Sequence, residues 1–374
     1  MEMGTQTFTD SPQEKRYLMG VRRLCENGIE SIPSKYIWPL PDRPTVKESE
    51  MIAEGLNLKL PVIDLEQLQS SNRSQVLKLL ANACEEFGFF QVVNHGIPSD
   101  VINRIINVSQ RFFELPFEER ARLMSGDMFA PVRYGTSVNQ NRDGIFCWRD
   151  FLKLNCHPLA EASTFWPPTP ADLRYKGIVL GTEEVASYAK ATKFLFFILV
   201  KAVLESLGLV DDGNDDILEE LEDGSQLMVI NCYPSCPEPD LTLGMPPHSD
   251  YGFLTLLLQD GVKGLQVHYR GEWLTVEPLA NSFVVNVGDH LEIFSNGKYK
   301  SVLHRVFVNS SKSRISVVSL HSLPYEKAVR PCPRLVNEEE GNPRRYKDTD
   351  FATFLQYVSS RGSKGKTFLE SRKL

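Results

Sequence analysis

Apolar positions recur with a helical period in the first half of the chain and in short β-rich runs in the second. Val76, Leu79, Leu80, Ala83 and Phe87 mark an amphipathic helix over residues 73–87, stopped by Gly88. A second helix spans 99–113 and ends before Pro116. The longest runs over 182–207. Glu183 and Glu184 sit at its positive end, Gly208 closes it, and Leu195, Leu199, Val203 and Leu207 form an apolar face fit for a core. Two strands punctuate this half, at 60–65 and at 89–94, the latter turning at Gly96. Beyond residue 225, seven β-rich runs (226–233, 254–259, 265–269, 273–277, 282–287, 301–308 and 314–320) alternate with Gly, Pro, Asn and Asp. That spacing fits a sandwich or barrel. A last helix covers 348–360.

This pattern predicts a mixed α+β protein in which N-terminal helices precede a jelly-roll core. The chain divides into a polar arm (1–57), a helical region (58–224), the jelly-roll core (225–325) and a C-terminal helix with its tail (326–374). The arm carries Pro33, Pro39, Pro41 and Pro44 around Tyr36 and Trp38. Residues 124–170 read as irregular and aromatic, and a long segment of that kind is more often functional than idle.

Composition narrows the partners. In 374 residues, 41 Lys and Arg face 48 Asp and Glu, a net charge of −7 with no basic stripe, which argues against nucleic acid. Seven scattered cysteines read as reduced thiols. The longest apolar run, 194–200, falls far short of the ~20 residues that span a bilayer. A soluble monomer is expected, in the cytoplasm with the nucleus as a second location, and with no membrane partner.

The candidate chemistry lies in the β-rich half. His248-Ser249-Asp250 places an imidazole and a carboxylate two residues apart, on one face if the segment is a strand. His304 follows 56 residues later, in a run ahead of the 309–313 turn. If Val308 pairs with Arg314 across that turn, His304 falls opposite Val318, and His304, Arg314 and Ser316 share one face. Two imidazoles and one carboxylate with open positions form the triad of non-haem Fe(II) oxygenases. A structural zinc site would close with a fourth ligand. Cys232 and Cys236, the one close cysteine pair, have no second pair and suit packing. Arg314 offers a planar fork for a carboxylate. His95 and His290 suit packing; His157 and His268 stay unassigned.

At these residues the chain resembles the plant 2-oxoglutarate/Fe(II)-dependent dioxygenases over roughly 60–360. The motifs are H-S-D (248–250), S-V-L-H-R-V (301–306), R-I-S (314–316), N-C-Y-P-S-C-P-E-P-D (231–240), G-D-H-L-E-I-F-S-N-G-K-Y-K-S-V (288–302) and G-F-F-Q-V-V-N-H-G-I (88–97). The resemblance implies a double-stranded β-helix core wrapped by the N-terminal helices. By position it implies His248, Asp250 and His304 as Fe(II) ligands. Arg314 and Ser316, helped by Tyr233, would bind the distal carboxylate of 2-oxoglutarate, with Asn231 nearby. The implied chemistry couples oxidative decarboxylation of 2-oxoglutarate, using O2, to hydroxylation of a small molecule, with ascorbate as reductant. No side chain acts as catalytic acid or base.

The 148–154 stretch resembles enzymes that oxidise flavonoids or salicylate. Leu320 stands where flavonoid enzymes of the family tend to carry a stacking Phe, which keeps a phenolic acid or a gibberellin-type hormone in view. Tyr134, Phe146, Phe151, Phe294 and Leu320 are the candidate pocket residues, with the 130–155 segment and the C-terminal helix flanking the iron mouth. Two alternatives stand beside this: an oxidase resembling the ethylene-forming enzyme, which uses ascorbate without 2-oxoglutarate, and an inactive jelly-roll binding module.

Overall fold

The protein's structure, a computed structural model, describes residues 20–44, 57–137, 143–173, 184–210, 216–361 and 367–374. Among these residues thirteen strands form two sheets. The larger has the order β2-β3-β11-β8-β13-β6-β5-β4. Its members are β2 (Val62–Asp64), β3 (Phe89–Val93), β4 (Val132–Thr136), β5 (Asp150–Asn155), β6 (Gln226–Tyr233), β8 (Leu254–Gln259), β11 (Phe283–Val287) and β13 (Arg314–His321). The smaller has the order β1-β10-β9-β12-β7, from β1 (Asn57–Leu58), β7 (Met245–His248), β9 (Leu265–Tyr269), β10 (Glu272–Val276) and β12 (His304–Val306).

The larger sheet is buried on both faces, which explains the near-continuous apolar runs of β8 and β11. Leu254, Leu256, Leu258, Val285, Val287, Ile315 and Val317 pack on the helical layer, built on the Ser99–Glu114 and Glu184–Ser206 helices. Leu257, Val284 and Val318 point the other way and meet Leu265, Val267 and Val276 of the smaller sheet. The chamber between the sheets is therefore lined by alternate residues only. β2 to β5 belong to this sheet, so it joins the 58–224 region to the jelly-roll core without a break.

Three expectations are corrected. The 124–170 segment is not irregular throughout: β4 and β5 lie within it and extend the larger sheet beyond β6. Charged residues at alternate positions, Arg133 and Lys153 among them, hide its strand pattern because the chamber they face is partly polar. The hairpin proposed between 301–308 and 314–320 does not form. His304 pairs with His248 and Val267 in the smaller sheet, whereas Arg314 pairs with Tyr233 in the larger. Residues 307–313 instead cross between sheets, tied by the Asn309 side chain, which accepts the Ser311 and Lys312 amides, and by the Cys236 amide, which donates to the Asn309 carbonyl. The common interior survives for a different reason, since each sheet turns its inner face to the other. Finally, the first long helix is α-helical over Arg73–Asn82 and ends in a wider π turn over Ala83–Phe87. The start of the 182–207 helix lies outside the described residues, as does most of the 1–57 arm.

Candidate active site

The strand β7 ends at His248, and Asp250 follows in the turn rather than on the strand. β12 begins at His304, directly opposite His248. Their Nε2 atoms lie 3.8 Å and 3.7 Å from Asp250 Oδ1 respectively, and the three ligand atoms fall within 4.8 Å of one another. Each Nδ1 faces a backbone carbonyl, that of Pro246 for His248 (2.8 Å) and that of Val302 for His304 (3.2 Å). A carbonyl only accepts, so Nδ1 carries the proton in both rings and both Nε2 lone pairs point at Asp250. Burial, then the neighbouring His304, pushes His248 down to about 3 and keeps it neutral. Burial pulls the Asp250 carboxyl upward, yet the two imidazoles and the amide of Asn286 hold it below the usual carboxylate range. Asn286 Nδ2 donates to Asp250 Oδ2 at 2.9 Å, leaving Oδ1 for the imidazole side. Converging lone pairs and a carboxylate with no donor between them are the donor set of a divalent cation.

Next to this cluster lies an inner cavity of about 170 Å³, with Arg314, Ser316, Asn231 and Tyr233 on its wall. Register explains the set: Arg314 pairs with Tyr233 and Ser316 with Asn231, so all four share the inner face. Arg314 donates from Nε to the Val262 carbonyl (3.1 Å) and from Nη2 to Gln259 Oε1 (2.8 Å). Its Nη1 is buried without a partner among the described residues, and its guanidinium lies 5.1 Å from the Tyr233 ring centre. Gly264 makes room for this side chain, since a Cβ there would come within 2.8 Å of Arg314 Cδ. Arg149, which the sequence reading missed, lines the same cavity and donates to Asn231 Oδ1 at 3.1 Å.

An outer cavity of about 630 Å³ opens on the other side of His248 and Asp250. Val229, Met245 and Leu320 border both cavities. Tyr251, Tyr325, Phe351 and Phe354 form an aromatic wall, with Tyr325 stacked on Phe351 at 4.2 Å and Tyr251 on Phe354 at 5.0 Å. Arg133 and Lys153 face them from β4 and β5.

Of the five candidate pocket residues, Leu320 alone lines these cavities. Tyr134 points to the helical layer, where its hydroxyl donates to Asp150 Oδ2 at 2.8 Å. Phe146 packs edge-on to Tyr36 in a separate cluster, and Phe294 sits against Phe253. Phe151 has the right parity but is covered by the guanidiniums of Arg149 (4.9 Å) and Arg133 (5.1 Å). An aromatic side chain in a strand faces core or chamber by its parity, which counting aromatics does not reveal. The other imidazoles are structural. His95 accepts the Ile97 amide and contacts the Asn281 carbonyl; His290 bonds Ser322 Oγ; His157 pairs with Asp223; His268 packs on Trp273. Cys232 and Cys236 are buried free thiols.

A jelly roll that gathers two imidazoles, one carboxylate and a buried arginine around one chamber defines a class, the non-haem iron oxygenases that use a 2-oxo acid. Comparison with known proteins agrees. Residues 224–322 match the 2OG-Fe(II) oxygenase superfamily and 60–169 match the N-terminal region of non-haem dioxygenases in morphine synthesis. DMR6-like oxygenase 2 of Arabidopsis thaliana is 38% identical over 328 residues, covering 88% of this chain and 90% of that protein. Flavanone 3-dioxygenase 2 of Oryza sativa subsp. japonica is 37% identical over 333 residues, covering 89% and 91%. The crystal structure of JOX2 in complex with 2OG, Fe and JA superposes with a TM-score of 0.81 at 30% identity, covering 95% and 97%. The chain belongs to the plant 2-oxoglutarate/Fe(II)-dependent dioxygenases.

Proposed function

We propose that His248, Asp250 and His304 hold Fe(II), that Arg314, Ser316, Tyr233 and Asn231 hold 2-oxoglutarate, and that the enzyme hydroxylates a small plant metabolite in the outer cavity. One observation carries this reading: the three metal-type donors and Arg314, whose Nη1 has no partner among the described residues, line a single cavity. Two neutral imidazoles and one carboxylate leave a divalent ion with net charge and open positions, which suits an anionic chelating cosubstrate and O2. When bound, the iron supplies the oxidative chemistry that couples decarboxylation of 2-oxoglutarate to C–H oxidation. The chain's own part is to orient and to exclude water. Backbone carbonyls fix both imidazole tautomers, Asn286 fixes the Asp250 carboxylate, and Arg314 sets the direction of the diacid.

The aromatic outer wall fits a flavonoid, a phenolic acid or a gibberellin-type hormone. Relatives named for flavanone, and one structure bound to JA, support a small cyclic substrate. Ascorbate is the proposed reductant. A monomer acting in the cytoplasm, with the nucleus as a second location, completes the proposal. The test is metal binding and succinate release after Asp250→Ala: neutral imidazoles alone hold a hard dication poorly, so both should be lost. His248→Ala and His304→Ala should behave alike, and normal succinate output from any of the three removes that residue from the centre. Turnover without succinate would favour the ascorbate oxidase alternative.

A further inference from the structure

The inner face of the larger sheet is a lattice whose rows can be read from the strand register. One row carries Ser316, Asn231 and Phe151; the next carries Val318, Val229, Lys153 and Arg133; the one after carries Leu320, Leu227 and Asn155. Arg133 and Lys153 are thus direct cross-strand partners on one face. Like charges placed opposite each other repel, and here both are largely removed from water. Burial and the Arg133 charge push the Lys153 ammonium down to about 8. Lys153 donates to the Met128 carbonyl at 2.7 Å and forms no ion pair with a described residue. An ammonium has three donors, so two remain for the cavity. Arg133 donates from Nε to the Ser125 carbonyl at 2.9 Å.

The acids on this cavity are otherwise engaged or peripheral. Asp250 belongs to the metal cluster, Asp289 accepts the Ser249 and Ser301 hydroxyls, Asp350 accepts the Thr353 amide, and Glu326 lies exposed at the rim. Asp127, whose charge acts on both Lys153 and Arg133 without an ion pair to Lys153, accepts the Phe129 amide. Two strands across and one row along, Lys153 lies roughly 12 Å from Leu320 between Cα positions, and roughly 16 Å from Arg314. The first distance spans a ring with a short side chain. The second separates this pair from the cosubstrate end.

We propose that Lys153, with Arg133 beside it, anchors the carboxylate of the substrate, so that the enzyme acts on ring-bearing monocarboxylic acids whose apolar body lies on the Tyr251 and Phe354 wall. This rests on the outer cavity being the substrate chamber of the proposed dioxygenase. It places the acid group at the β4–β5 end and the ring next to Leu320, beside the metal cluster.

The experiment titrates benzoate, cinnamate and 1-naphthylacetate, and the matching primary amides, into the anaerobic Fe(II)/2-oxoglutarate protein by calorimetry. At least one acid should bind roughly ten- to a hundredfold more tightly than its amide, the range of a charge-assisted hydrogen bond. Lys153→Met should abolish that preference and Lys153→Arg should keep most of it. If Lys153 merely pins the Met128 loop, Lys153→Met lowers the melting temperature but leaves the acid-over-amide ratio intact, and the proposal fails. Equal affinity of acid and amide in the wild type, or no binding by any of the acids, also overturns it. Titrating 2-oxoglutarate into the same samples separates the two readings. Loss of the acid preference with normal cosubstrate binding supports the anchor, whereas a wild type that binds no 2-oxoglutarate sinks the dioxygenase site itself.

Discussion

Arg314 is the residue on which the cosubstrate reading turns. Nε and Nη2 are spent on Val262 and Gln259, so the guanidinium is held in place on the wall of the inner cavity, and Nη1 has no partner among the described residues. Lysine there keeps the charge but loses the fork and both holding bonds. Arg314→Lys should raise the 2-oxoglutarate dissociation constant roughly ten- to a hundredfold. Arg314→Met should be worse, and Ser316→Ala milder than either. Fe(II) binding should survive all three. Cosubstrate titration measures this, and an unchanged constant in Arg314→Met would falsify the assignment. His290 carries a different prediction. Burial pushes it down to about 3 from an ordinary 6.5, with Asp350 opposing, while its Nε2 has no partner among the described residues. The unfolded chain therefore takes up a proton between those values that the folded chain refuses. Its contribution is complete above about pH 6.5 and drains away as the pH falls toward 3. His290→Gln should remove this component, so the variant's unfolding free energy should fall less steeply on acidification, by up to ~5 kcal/mol. Urea titrations of both proteins across that window measure the difference in slope.

The turn between the π segment and β3 depends on one glycine. Gly88 has φ +63°, and a Cβ there would come within 2.3 Å of the Lys300 carbonyl oxygen and 2.6 Å of Val302 Cγ2. The left-handed backbone alone costs about 1–3 kcal/mol for most residues, and a backbone carbonyl cannot rotate aside. Gly88→Ala should destabilise by more than that range, read as a lower urea midpoint. Iron affinity should fall with it, because Val302 accepts from the His304 ring two residues on. The helix stop at this glycine is legible from the sequence, but the approach of Lys300, more than two hundred residues away, is not. Strand parity was the harder matter. As aromatics in one segment Tyr134 and Phe151 both suit a pocket, yet the pairing of Tyr134 with Leu152 turns it to the helices. The same alternation delivers Lys153 and Asn155 to the outer cavity and Arg149 to the inner one. A period of two in 149–155 was available as a signal, but its buried charges suppressed it.

Across the whole molecule, the two cavities meet at Leu320, Val229 and Met245, where the sheet's inner face passes the metal cluster. Leu320→Phe should place a ring at that junction and shift the substrate preference toward flat aromatics by about 0.5–1.5 kcal/mol. Iron affinity and succinate yield per product should stay nearly unchanged, which competition between paired substrates and a succinate assay would show. The helical and β periods, the H-x-D pair, the distal histidine and R-I-S were sufficient in sequence to give the fold class, the three metal-type donors and the arginine. These are local features: periodicity and residue chemistry survive without knowledge of the partner strand. The pairing of His304 with His248 rather than a hairpin to Arg314, the burial of Tyr134, Phe146 and Phe294, and the meeting of Lys153 with Arg133 were decided only by tertiary structure. Phe146, in a loop, and Phe294, at the end of the Asp289–Phe294 helix, depend on what packs against them. For the strand residues the outcome depends on which strand lies beside which, and one step in register or one change of sheet sends the same side chain to the opposite face.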